Sequence, residues 1–273
     1  MNIKIITNIG GRNENQDFFK STNTKFGLLI IVCDGMGGTN GGALASKLAT
    51  DVITSEVAET NSPDPVNALF NAIYKANFEI FRRSVKNPEL KGMGTTLTCL
   101  LVAKEKAYSC HVGDSRIYQI RNSKIIFKTE DHSKVYELVK RGIISEKEAR
   151  NHPENNIIER AMGIKPVVDV EMHEHSYKKG DRFLLCTDGI HGFLSDNEIL
   201  LKIESETIEN ATKKLIDATN QKGLSSGGKH DNMTAALFET TENSRFIENK
   251  NKSMLLITLW SVLIIFIGLF FLN

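Results

Sequence analysis

Residues 27–38 read GLLIIVCDGMGG, in which seven uncharged residues (27–33) run into an aspartate and then into closely spaced glycines. An apolar run this short, rich in branched residues and bounded by glycine, predicts a strand buried on both faces. Similar runs at 95–103, 107–112, 182–186 and 233–238 predict further buried strands. Apolar residues at helical spacing predict helices over 42–57, 65–82, 134–140, 198–203 and 207–219. The strands outnumber any simple strand-helix-strand repeat, and residues 107–128 read as a meander of three short strands. The pattern therefore predicts an α+β domain over residues 1–240 and not a doubly wound parallel sheet.

Composition narrows the function classes. Of 273 residues, 41% are hydrophobic and 25% charged, which excludes a disordered chain. Lys plus Arg number 34 against 33 Asp plus Glu, a net charge of +1 that offers no footprint for nucleic acid. The four cysteines, Cys33, Cys99, Cys110 and Cys186, form no C-x-x-C pair, and the expected compartment is reducing. Residues 254–272 (MLLITLWSVLIIFIGLFFL) carry no charge over 19 positions, and at about 1.5 Å each they match the roughly 30 Å hydrocarbon core of a bilayer. They predict a transmembrane tail anchor over 253–273, joined to the domain by a polar linker over 241–252. Arg245, Lys250 and Lys252 before the anchor predict a cytoplasmic domain, and MNIKIITNIGGRNENQD at the start has no signal-peptide core.

Five aspartates share one setting at the edge of an apolar run, most of them beside glycine: Asp17, Asp34, Asp114, Asp188 and Asp231. Any one of them alone reads equally well as a turn former after a strand. Together they form a set of carboxylates at buried strand ends, and unpaired charges there would cost several kcal/mol each. Within the motifs that carry these aspartates the only cations are Arg12 and Arg116, too few to neutralise all five, so metal ions are the remaining source of positive charge. Oxygen donors without clustered Cys or His select Mg2+ or Mn2+.

Eight ordered motifs resemble the metal-dependent type 2C serine/threonine protein phosphatases in their bacterial form. They are GGRNENQD (10–17), VCDGMGG (32–38), GMGTTL (92–97), HVGDSRIY (111–118), EDHS (130–133), ERAMG (159–163), LLCTDGIHG (184–192) and HDNMT (230–234). The resemblance implies a four-layer α-β-β-α sandwich of two antiparallel sheets flanked by helices. It implies two Mn2+ or Mg2+ ions held by Asp17, Asp34, Asp188, Asp231 and the Gly35 carbonyl, with Asp114 a ligand of a weaker third. Arg12 falls on the phosphate-binding arginine, and an activated water attacks phosphoserine or phosphothreonine without a covalent intermediate. The implied partners are phosphoproteins and an opposing serine/threonine kinase, met at the membrane. The segment 132–164 falls on a flap that shapes substrate choice.

The chain departs from that pattern in three places. Many bacterial members carry a histidine shortly after the first Asp-Gly, a candidate proton donor to the leaving oxygen, where this chain has Met36 and Thr39. His132, His152 and His191 are the candidate substitutes. Four residues after Asp188 the family has an acidic or amide side chain and this chain has Gly192, while Gly42 replaces a common glutamate. Two rival readings follow: a catalytically weak phosphatase fold acting as a membrane-tethered binding module, and a cysteine-dependent phosphatase using Cys110 and Arg116 in C-x5-R spacing.

Overall fold

The structure, a computed structural model, describes residues 2–244. In chain order its strands are β1 (Ile3–Asn8), β2 (Asp17–Thr24), β3 (Gly27–Met36), β4 (Gly94–Thr95), β5 (Leu97–Ala103), β6 (Ala107–Val112), β7 (Arg116–Arg121), β8 (Lys124–Lys128), β9 (Glu171–His175), β10 (Arg182–Cys186) and β11 (Met233–Glu239). Its helices are α1 (Gly38–Glu59), α2 (Pro65–Lys86), α3 (Lys134–Lys140), α4 (Glu146–Arg150), α5 (Asp188–His191), α6 (Asp196–Ile203) and α7 (Ile208–Ser225). One antiparallel sheet runs β1-β11-β10-β7-β8 and the other β2-β3-β5-β6-β9, with β4 pairing β3.

The alternation along β3 shows how the layers are built. Leu29, Ile31 and Cys33 pack with Ala45, Ala49 and Ile53 of α1 and Leu69 and Ile73 of α2. The intervening Ile30 and Val32 meet Phe183, Leu185 and Ala236 of the opposite sheet. A strand sandwiched in this way has no solvent face, which is why residues 27–33 carry no polar residue. On the far side, Leu184, Met233 and Leu237 pack against Ile199 of α6 and Leu215 of α7. The result is helices, sheet, sheet, helices, as the family resemblance implied. Helix α2 shows the local logic: Asp64 caps it by accepting from the Val66 and Asn67 amides, Pro65 starts it, and Arg83 and Lys86 close it.

Two details differ from the sequence reading. Residues 107–128 are not a meander, because β6 belongs to one sheet while β7 and β8 belong to the other. The chain crosses between sheets at residues 113–115, where Gly113 takes a φ of 102° that side-chain-bearing residues rarely adopt. Asn243 and Ser244, on the linker side of the expected boundary, bond back to the domain: the Lys179 amide donates to Asn243 Oδ1 at 2.8 Å and the Ser244 amide to the Tyr177 carbonyl at 2.8 Å. The expected anchor over 253–273 lies outside the described residues, as does the rest of the linker, and among the described residues no helix is long and apolar enough to cross a membrane.

Candidate active site

Each sheet delivers aspartates at one edge. Asp17 opens β2 and stands directly opposite Asp34 on β3. Asp188 begins α5 two residues after β10 ends, and Asp231 lies two residues before β11, the neighbour of β10. Asp114 sits on the crossing from β6 to β7. The fold thus brings all five predicted aspartates to one seam between the sheets, where their charges act on one another.

The seam is short of positive charge. Burial first, then Asp188 and Asp231, lifts Asp17 to about 7 against the opposing pull of the Thr234 and Thr187 hydroxyls. Burial, then Asp231, lifts Asp188 to about 6 although it shares a hydrogen bond with Asp34. Burial, with the surrounding carboxylates, pushes Asp34 and Asp114 well above the ordinary carboxylate value. Asp17 Oδ1 and Asp188 Oδ1 are buried without any hydrogen-bond partner. Orphaned carboxylate oxygens turned into a shared acidic space fit a hard divalent cation, which the donor set of oxygens alone also favours.

Residues that the sequence reading did not single out hold these groups in place. Thr187 Oγ1 donates to Asp17 Oδ2 at 3.0 Å, and Thr234 Oγ1 lies 2.6 Å from the same oxygen. Thr95 Oγ1 donates to the Asp34 carbonyl at 2.8 Å, and the Asp34 amide donates to Thr96 Oγ1 at 2.9 Å. Asn232 pins the loop that carries Arg12, its Nδ2 donating to the carbonyls of Ile9 (2.8 Å) and Glu14 (3.0 Å) while its Oδ1 accepts from the Gln16 amide (2.8 Å). The available signal was adjacency, since Thr187, Asn232 and Thr234 each lie within three residues of a metal-type aspartate in the quoted motifs. Two glycines are required by close approach. A Cβ on Gly10 would meet the Asp231 carbonyl oxygen at 2.1 Å, and one on Gly35 would meet the Gly42 carbonyl oxygen at 2.1 Å.

Arg12 Nη2 lies 2.6 Å from Asp231 Oδ2, and both side chains are partly open to solvent. Gly192 follows α5 as its C-cap, so no side chain approaches from that position. Of the three candidate proton donors, His191 and His132 commit their ring N–H within the fold. His191 bonds the Asp114 carbonyl through Nε2 at 2.9 Å, and burial lowers it to about 3, so its ring is neutral at pH 7. His152 Nδ1 accepts from the Glu154 amide. His132 Nδ1 accepts from the Gly113 amide, which leaves its Nε2–H to face Glu171 Oε2 at 3.1 Å. His111, His132 and Glu171 form a compact group of metal-ligand type, in which His132 spends its lone pair on that amide while His111 Nδ1 is buried without a hydrogen-bond partner.

The cysteine-dependent reading is overturned by the same geometry. Cys110 lies on β6 in the core against the helices, and burial pushes its thiol up to about 12. Arg116 stands on β7 in the other sheet and is held by Asp131.

Residues 8–242 match the family described as protein phosphatase 2C. The serine/threonine phosphatase stp of Listeria monocytogenes is 36% identical over 217 residues, covering 77% of this chain and 84% of that protein. The serine/threonine phosphatase Stp1 of Staphylococcus aureus superposes with a TM-score of 0.79 at 34% identity, over 87% of this chain and 94% of that one. The catalytic domain of the serine/threonine protein phosphatase PstP, solved with two manganese ions, superposes with a TM-score of 0.75 at 29% identity, over 88% of this chain and 98% of that one. The chain belongs to the protein phosphatase 2C family, an enzyme family of metal-dependent serine/threonine phosphatases that use Mn2+ or Mg2+.

Proposed function

We propose that the chain hydrolyses phosphoserine and phosphothreonine in proteins, with Asp17, Asp34, Asp188, Asp231 and the Gly35 carbonyl holding two divalent cations. Asp114 holds a weaker third ion, and Arg12 receives the phosphate. The observation that carries this reading is the convergence of five aspartates, four of them with raised pKa values, at one seam with two orphaned oxygens. When bound, the cations offset phosphoryl charge and make a water acidic enough to attack at neutral pH. The protein's own groups position the reactants. The two threonine hydroxyls fix the rotamer of Asp17, and Asn232 fixes the Arg12 loop. The Arg12 guanidinium can present two parallel N–H groups to two phosphate oxygens, which a lysine cannot. With the ring N–H of His132 and His191 committed to bonds within the fold, and His152 outside the residues that line the cavity at the seam, the proton for the leaving oxygen comes from solvent.

The test uses the full chain and p-nitrophenyl phosphate. Turnover should require Mn2+, disappear with EDTA, disappear in Asp188→Ala and survive in Cys110→Ser. Turnover that persists in EDTA, or is lost in the cysteine variant alone, would sink the two-metal reading. A wild-type chain that binds Mn2+ and phosphoprotein without turnover would be the weak binding module instead.

The uncharged run at 254–272 supports a second part of the reading: the enzyme is held at the cytoplasmic face of a membrane by residues 253–273, where it opposes a serine/threonine kinase on membrane-proximal substrates. The full chain should sediment with membranes and resist an alkaline wash, while a chain ending at residue 252 should remain in the supernatant. Equal partition of the two would remove the tether.

A further inference from the structure

A cleft of about 1330 Å3 opens on the aspartate seam and is lined by residues of α3, α4, α5, α6 and α7. Asp114, Asp188, Asp231 and Arg12 stand where it meets the seam. Its remaining charges are not balanced. Most pair off within the chain: Arg12 with Asp231 at 2.6 Å, Arg116 with Asp131 at 2.7 Å, Lys222 with Glu198 at 2.6 Å, and Glu146 with Lys128 at 2.8 Å. The carboxylates left over, Asp114 and Asp188, belong to the seam itself. The cations left over are Lys147 and Arg150 on α4, Lys202 on α6, and Lys229 before β11. Among the described residues none of these four makes an ion pair, and all four are at least partly open to solvent.

A phosphorylated segment must place its phosphate at the seam and lay the residues beside it along this cleft. Four cations without a carboxylate partner on the walls attract acidic neighbours of the phosphosite and repel basic ones, and low-dielectric cleft walls strengthen both effects. We propose that Lys147, Arg150, Lys202 and Lys229 make this cleft selective for phosphoserine or phosphothreonine flanked by Asp and Glu. The inference rests on the phosphatase reading and names its substrate class. The alternative, that these cations serve only the phosphate itself, has no dependence on flanking residues.

The experiment compares three phosphothreonine peptides of one core sequence, flanked by Glu, by Ala or by Lys, on the Mn2+-loaded full chain, with p-nitrophenyl phosphate alongside. The Glu-flanked peptide should exceed the Lys-flanked one at least tenfold in kcat/KM, through KM, and the ratio should shrink at 0.5 M salt. In the double variant Lys147→Glu/Arg150→Glu the ratio should fall at least tenfold. Because both peptides are read on one sample, the fraction of folded enzyme cancels. A wild-type ratio within twofold of unity, or a ratio unchanged in the double variant, overturns the inference while p-nitrophenyl phosphate turnover leaves the phosphatase reading standing. Absence of turnover on every substrate overturns both.

Discussion

Asp17→Asn is expected to abolish turnover and, in the metal-free protein at pH 7.5, to raise the melting temperature. The two effects share one cause. Asp17 Oδ2 already has the Thr187 and Thr234 hydroxyls, whereas Oδ1 is buried without a partner among other carboxylates. An asparagine keeps the oxygen that the threonines need and puts an N–H2 where the orphaned oxygen was, facing acceptors. On the proposed two-metal reading it removes a charge that a cation would require, so turnover should fall on the order of a thousandfold, since metal ions supply several kcal/mol of the transition-state stabilisation. Relief of the buried charge should be worth about 1–2 kcal/mol, or roughly 2–8 °C for a domain of this size. The pH dependence follows from the direction of the shift. The folded pKa of Asp17 is raised from 3.8 to about 7, so the native state binds more protons than the unfolded chain between those values, and stability falls as pH rises through that window. Metal-free wild type should therefore melt higher at pH 5 than at pH 7.5, added Mn2+ should reverse the loss at pH 7.5, and Asp17→Asn should flatten the slope. A variant that melts lower than wild type in EDTA at pH 7.5 would contradict this account.

Asp131→Ala is expected to destabilise the fold by about 3–5 kcal/mol, because it takes the bidentate partner from a buried guanidinium and leaves it only the longer contact to Asp196 at 3.8 Å. Arg116 Nε and Nη2 each lie 2.7 Å from an Asp131 oxygen, and the two side chains are only 7% and 10% exposed. Arg116 Nη1 also donates to the Tyr118 hydroxyl, which in turn donates to Asp196. Burial alone would raise Asp131, but the Arg116 charge and hydrogen bonds more than reverse it and lower it. This stability is therefore present above the ordinary carboxylate pKa and lost as pH falls, opposite in sense to Asp17. At 2–4 °C per kcal/mol the single variant should melt roughly 10 °C lower, and Arg116→Met/Asp131→Leu should recover most of the loss. Equal melting temperatures for the single and double variants would argue against a stranded charge as the cause.

What the sequence disclosed follows the physics of burial. The central strands β3, β5, β6, β10 and β11 announce themselves because both faces are covered and their residues are apolar. The edge strands β1, β2 and β9 escaped notice, since sequences such as DFFKSTNT and EMHEH carry polar residues on half-open faces. The three-strand meander over 107–128 went wrong at Gly113, because hydrophobic alternation does not record which sheet a strand joins. At the site, the aspartates were legible from their motifs because a carboxylate at the end of an apolar run is anomalous. Thr187, Thr234 and Asn232 were not, because a buried hydroxyl or amide looks ordinary until its partner, 170 to 223 residues distant in sequence for some of these bonds, is known.

The placement of β11 sets a timetable for the enzyme. It comes last among the described strands yet lies inside its sheet, between β1, the first, and β10. Until residues 233–239 have been synthesised, β1 and β10 each lack a neighbour, and Asp231, Asn232 and Thr234 have only just been added to the growing chain or are still missing. Neither the first strand nor the Arg12 loop that Asn232 anchors can settle early. A nascent chain is thus silent as a phosphatase until β11 has been made and has taken its place between β1 and β10.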